Sequence, residues 1–212
     1  MSNDNDLIVI NTQQAVDRSL ETPKPEINVP IFNLVSENDP ILKEVLPDFD
    51  FNNPPVDPNA FASSLVETCK KNNGIGLSAN QCGFKHRVFV MGSGDEYVAF
   101  FNPKVVGSSG EAHIEEGCLS FPYLALRITR ASVITVEYQD FLGETKTQTF
   151  SGISARCFLH ELDHMNGIVY TSKAKPLALQ MGLKKRDKIK RLMVKAQKSM
   201  KSLEEMISVN TI

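Results

Sequence analysis

Apolar residues recur at every fourth position through Phe61, Leu65 and Cys69, the spacing of a helix with one buried face. Asp57 and Pro58 stand in front of the run as N-cap and first helical residue. Asn72, Asn73 and Gly74 follow it, and they tolerate the left-handed turn that ends a helix. Two short runs of aromatic and aliphatic residues, Arg87 to Met91 and Tyr97 to Phe101, flank Gly92 to Asp95 and predict a hairpin, with Pro103 ending its second strand. Alternation from Arg130 to Phe141 predicts another strand, turned at Leu142 to Glu144 into a partner from Thr145 to Phe150. Gly152 then introduces a second helix that Gly167 closes.

Beyond Pro176, Ile189, Leu192, Met193, Ala196, Met200 and Leu203 repeat at intervals of three and four among lysines, predicting a long helix packed on one side and wet on the other. The polar, proline-bearing residues 1 to 28 are expected to be a flexible or surface-bound extension, and no chemistry is assigned to them. From Val29 to Asp57 short apolar pieces alternate with prolines and predict loops and short extended pieces. The expected organisation is a catalytic domain over residues 29–175 followed by a basic amphipathic helix over 176–212, packed on that domain. The fold class is α+β, with mostly antiparallel sheets around a central helix.

At 212 residues and 42% hydrophobic composition, the chain is long enough for one core without covalent staples. The four cysteines show no paired spacing, and the first residues lack a secretory pattern, so a reducing, cytoplasmic setting is expected. No apolar run is long enough to span a bilayer. The net charge of −2 conceals a division. Eleven of the 23 basic residues lie between Lys173 and Lys201 with Asp187 as the single acid there, a net +10 against −12 for the remainder.

Candidate chemistry centres on His160-Glu161-Leu162-Asp163-His164. Four residues apart on a helix, the two imidazoles share a face and can reach one cation, while Glu161 is placed to act as a base on bound water. A third ligand must come from elsewhere. Cys118 follows a glycine and precedes a proline-marked turn, a setting that suits a thiolate facing the helix. One thiolate and two imidazoles leave an open position, as catalytic centres do, and suit zinc or iron alike. Cys69, Cys82 and Cys157 read as packing residues, with Cys157 three residues before His160 and near the site; His86 and His113 read as structural or surface residues.

Three stretches, Gly74 to Gln81 (GIGLSANQ), Glu116 to Ser120 (EGCLS) and His160 to His164 (HELDH), together resemble the three motifs of the peptide deformylases, in the same order and with comparable separations. The resemblance spans about Val29 to Tyr170 and extends to the long last helix. Leu159 stands where that family usually has glutamine, Ser78 where it has alanine, and Met165 where it has leucine. The resemblance implies Cys118, His160 and His164 as metal ligands, Fe2+ as the physiological metal and Zn2+, Ni2+ or Co2+ as alternatives in the same site. It further implies Glu161 as the acid–base residue, and the Gln81 side chain with the backbone N–H of Leu119 as oxyanion donors. Gly76 would let the substrate backbone lie alongside, and Ile75 would help line a methionine pocket. The implied substrate is the N-formylmethionine of a nascent chain. The protein is expected to be a monomer without DNA or membrane contact, its basic helix touching ribosomal RNA.

Two further expectations come from the residues. Asp163 and Arg130 are candidates for an ion pair bracing the ligand helix. The rival readings are a zinc endopeptidase and a deformylase-like binding module without catalysis. The first usually has a third His or Glu ligand downstream, where this chain has only Glu204 and Glu205 on the basic helix; the second gives Glu161 nothing to do.

Overall fold

The structure is a computed structural model that describes residues 29–209, with side chains to Lys201; the N-terminal extension lies outside the described residues. Helix α1, Pro58–Lys71, begins where Asp57 accepts a hydrogen bond from the Ala60 N–H at 2.7 Å. It ends at Asn73, whose φ of 54° takes the left-handed turn. Strands β1 (Gly76–Ser78), β2 (Val88–Ser93) and β3 (Glu96–Ser109) follow, then β4 (Ala112–Glu116), β5 (Leu126–Arg130), β6 (Val133–Gln139) and β7 (Thr145–Ser151). The last two helices are α2, Gly152–Met165, and α3, Pro176–Val209. The sheets are antiparallel: five strands in the order β1-β2-β3-β6-β7, and a separate β4-β5 pair. Among the described residues no helix is long and apolar enough to cross a membrane.

Strand β2 explains how the site is held. Val88 and Val90 point into a cluster with Phe61, Leu65 and Cys69 of α1. Phe89 and Met91 point the other way, toward Phe158 of α2. A strand covered on both faces has no room for a polar alternate, and hence the unbroken apolar run. Phe158 meets the rings of Phe89 and Phe100 edge-on at 5.0 and 5.3 Å, which fixes α2 against the sheet.

The elements depart from the sequence-based expectations in three places. Strand β3 does not stop at Pro103 but runs on to Ser109 through shifts of register on either side of Lys104. Pro103 falls in the irregularity, where a missing N–H costs no ladder bond, and Asn102, at φ 49°, reaches the backbone of Phe49 and the side chain of Gln139. Arg130 ends β5 instead of opening β6, because Ala131 and Ser132 interrupt the extended run. The β4-β5 pair was not expected at all: its inward positions include Glu116 and Arg130 beside Ile114, Leu126 and Ile128, so its buried face reads as polar.

The first half of the last helix lies against the strands and loops before it. Arg186 is buried, paired with Glu37 and donating to the Pro122 carbonyl at 3.0 Å. At Gly182 a Cβ would stand 2.8 Å from Leu126, so the glycine permits that close approach. From Arg191 to Lys201 every residue is exposed, including Leu192, Met193, Ala196 and Met200. Spacing of three and four identifies a face; it does not say whether anything lies under it. Leu203 lies outside the described side chains.

Candidate metal centre

The second helix carries His160 and His164 four residues apart, both buried, and the loop after β4 brings Cys118 to them. One donor atom from each of the three lies within 4.8 Å of the others, and Cys118 Sγ is 3.4 Å from His164 Nε2. A tetrahedral ion with bonds of about 2.3 Å to sulfur and 2.0–2.1 Å to nitrogen would hold S and N ~3.6 Å apart, so the donor set fits one cation. His160 presents its other nitrogen, Nδ1, to Glu116 Oε2 at 3.1 Å. That bond orients the ring and leaves Nε2 for the site. Burial opposes a proton on His160, but hydrogen bonds to Cys118 and Glu116 outweigh it and lift the pKa to about 10. Positive charge is favoured here, and a cation supplies it without a proton.

Glu116 is the hub behind the ligands. Arg130 Nε and Nη2 donate to its two oxygens at 2.5 and 2.9 Å, Arg156 donates to it as well, and Arg130 Nη1 reaches Asp163 at 2.7 Å. Asp163 also pairs with Lys173 at 2.8 Å. Burial alone would raise the pKa of Glu116, yet bonds from His160 and Arg130 hold it down at about 2. The pairing of Asp163 with Arg130 is present in the structure. Sequence reading passed over Glu116 and Arg156, and the available clue was two adjacent glutamates before Gly117, one outward and one inward on β4.

A cleft of about 360 Å³ runs between the β1 end of the large sheet and the loop that carries Cys118. Ile75, Gly76, Gln81, Cys118, Leu119, His160 and Glu161 line it; Cys157, Ile153 and Arg156 close its floor, with only Cys157 of these noticed in the sequence. Glu161 is buried, and its Oε2 has no hydrogen-bond partner among the described residues. Burial pushes its pKa up to about 7. Gln81 accepts from the Ser78 N–H at 3.0 Å and turns its Nε2 to Ser120 Oγ at 3.0 Å and Cys118 Sγ at 3.4 Å. Among the described residues no partner accepts from the Leu119 N–H.

Gly76 also meets a constraint from within the chain. A Cβ there would lie 2.5 Å from Glu161 Oε1 and 2.7 Å from Cys157 Sγ, so the missing side chain makes room for the helix behind it. Ile75 is 46% exposed, at the rim. Cys69 and Cys82 are buried, and burial pushes both thiols up to about 12, which makes them poor ligands. His86 packs among Phe49, Phe61 and Phe84, and His113 is exposed beside Thr129.

Comparison with known proteins agrees with this arrangement. A profile of the polypeptide deformylases matches residues 31–180. A peptide deformylase of Thermotoga neapolitana is 42% identical over 123 residues, covering 58% of this chain and 74% of that protein. One of Rhizobium meliloti is 35% identical over 167 residues, covering 76% and 91%. The crystal structure of a peptide deformylase from Legionella pneumophila superposes with a TM-score of 0.68 at 32% identity, over 78% of this chain and 98% of the other. With the motifs, the sheet order and the Cys-His-His cluster all in agreement, the chain belongs to the polypeptide deformylase family.

Proposed function

We propose that this protein removes the formyl group from N-formylmethionyl peptides, releasing formate and a free amino terminus. The observation that carries the reading is the buried Glu161 beside a Cys118, His160 and His164 cluster that opens on a peptide-sized cleft. Those three residues would hold a divalent ion, Fe2+ by family resemblance with Zn2+, Ni2+ or Co2+ as alternatives. When bound, the ion acidifies water and polarises the formyl oxygen.

The remaining steps belong to the chain. Glu161, with its pKa near neutrality, takes the proton of the attacking water and later gives it to the leaving amine. The Gln81 amide and the Leu119 N–H donate to the oxygen that becomes negative on attack, a role for which one donor is typically worth ~10²–10³ in rate. The peptide lies along the outer edge of β1 as an added strand, and Ile75, Ile153 and Cys157 surround the methionine side chain. Formyl-Met peptides are expected to yield formate and unblocked peptides no cleavage product, with a chelator abolishing turnover and Fe2+ under anaerobic conditions restoring it. Cleavage of unblocked peptides would favour an endopeptidase instead.

Gly76→Ala tests how tightly the base is placed. The added methyl must displace the Glu161 carboxylate, and kcat is expected to fall ~10–100-fold with little loss of metal. An unchanged kcat would show that the carboxylate has room.

The exposed basic half of α3 is the proposed contact with ribosomal RNA, since phosphate attracts lysine without regard to sequence. A version ending at Lys175 is expected to lose ribosome sedimentation at low salt while the full chain loses it only as salt rises. Equal binding by both would remove the contact from α3.

A further inference from the structure

Gly182, Arg186 and Ile189 follow one another along α3 on the side that meets the domain. Gly182 lies against Leu124 and Leu126, Arg186 against Glu37 and Pro122, and Ile189 at a cavity of about 350 Å³ that Tyr123 and Leu124 also line. The same row continues at helical spacing through Met193, Ala196 and Met200, with Leu192 beside it, and there nothing of the domain covers it. Met193 is 40%, Leu192 57% and Met200 62% exposed. The charged residues around this bare stripe, from 191 to 201, are Arg191, Lys195, Lys198 and Lys201, with no acid among them.

An apolar row inside a basic rim fits a partner that carries apolar side chains and negative charge together. RNA phosphate answers the lysines but leaves the methionines in water. A second α3 would answer the methionines but bring the same positive charge. The chain itself holds a segment with both properties. Residues 1–28 carry five acids, Asp4, Asp6, Asp17, Glu21 and Glu26, against Arg18 and Lys24, a net −3, together with the unbroken apolar run Leu7 to Ile10. Its reach suffices. Glu37 is paired with Arg186, so Val29, eight residues earlier, lies within ~40 Å of that point of the helix, and Met200 is about 21 Å further along. An extended stretch of the length of 1–28 spans ~90 Å.

We infer that residues 4–21 fold back on the second half of α3, with Leu7 to Ile10 on the row of Met193, Ala196 and Met200 and the acids against its lysines. The contact does not depend on the deformylase reading. It takes the same lysines as the proposed RNA contact, so the segment and a nucleic acid exclude one another there.

The test uses the full chain without ribosomes. A zero-length carbodiimide, which joins carboxylates to lysines in contact, is expected to link Asp4, Asp6, Asp17 or Glu21 to Lys195, Lys198 or Lys201 at least about tenfold more often than to Lys43 or Lys71 on the domain. An equal mixture of 15N-labelled and unlabelled protein is expected to give no mixed-isotope links. Mixed links would assign the face to a second copy and overturn the inference, as would links spread evenly over all these lysines. The triple variant Leu7→Ser, Ile8→Ser and Ile10→Ser is expected to lose the links and to speed amide exchange of residues 191–201 about tenfold or more, while β2 and β3 exchange as in the parent and report an intact fold. Ala196→Asp, on the exposed face of the helix, is expected to abolish the links from the other side. Unchanged exchange in the first variant, or unchanged links in the second, would overturn the inference. Ribosome sedimentation decides the RNA contact separately, and neither result stands in for the other.

Discussion

Glu161→Gln is expected to leave metal content unchanged and to lower kcat for formate release ~10³-fold, within the range of about 10²–10⁴ that a positioned acid–base group supplies. Glutamine keeps the shape of the side chain and its neighbours but cannot shuttle a proton. Metal analysis on the same sample separates a lost base from a lost ion, and turnover within about tenfold of the parent would dismiss Glu161 from the proton transfer. The same substitution has a thermodynamic consequence in the metal-free protein. Burial raises the pKa from 4.5 to about 7, so below 4.5 both folded and unfolded chains hold the proton and nothing is lost. Between 4.5 and 7 the unfolded chain gives up its proton first, and stability falls with rising pH by up to ~3 kcal/mol. Metal-free Glu161→Gln should therefore melt higher than the parent at pH 8 and alike near pH 4. A parent that melts as high at pH 8 would contradict the buried, unpaired carboxylate.

The second large effect is expected at Arg130, which is 6% exposed and joins Glu116 to Asp163. Arg130→Met keeps a similar apolar length but takes from two buried carboxylates the partner they share, leaving Glu116 to Arg156 and His160 and Asp163 to Lys173, a change expected to cost ~3 kcal/mol, the low end for a broken buried pair. Urea unfolding should show that loss, and metal affinity should fall with it, because Glu116 would no longer be held under the His160 ring. For comparison, Lys104 and Glu137 form an exposed pair at 2.7 Å, and Lys104→Met should change stability by no more than ~1 kcal/mol. Equal, small effects at both sites would mean that the buried cluster is solvated and not structural. The cluster also fixes the direction of acid sensitivity. The carboxyl of Glu116, held at about 2, contributes stability that is complete above its ordinary range and is lost as pH falls toward 2.

How far the sequence could be read depended on whether a residue's surroundings were local. The ends of α1 and α2 were legible because caps and left-handed turns act within a few residues, as Asp57 and Asn73 do. The β2-β3 hairpin was legible from its apolar runs. The three motifs marked the cleft, and the Asp163 and Arg130 pairing followed from charge and position. The β4-β5 pair was not legible, since Glu116 and Arg130 are buried in a charge cluster that Arg156, His160 and Asp163 complete from α2. Nor was the fate of the last helix: the apolar spacing over Leu192 to Met200 is real, but whether a partner surface lies beneath depends on the end of the loop near Pro122. Gly76 belongs in the same class, its role set by α2, more than eighty residues later in the chain.

The strand that borders the cleft is only three residues long. At about 3.3 Å per residue it offers a visitor roughly 10 Å of backbone and then nothing more to grip. In the proposed docking, recognition would therefore end a few peptide units from the terminus, and whatever the rest of the polypeptide encodes would go unread. Such a short ruler suits a generalist, serving many different products alike, provided each arrives with its tip still loose.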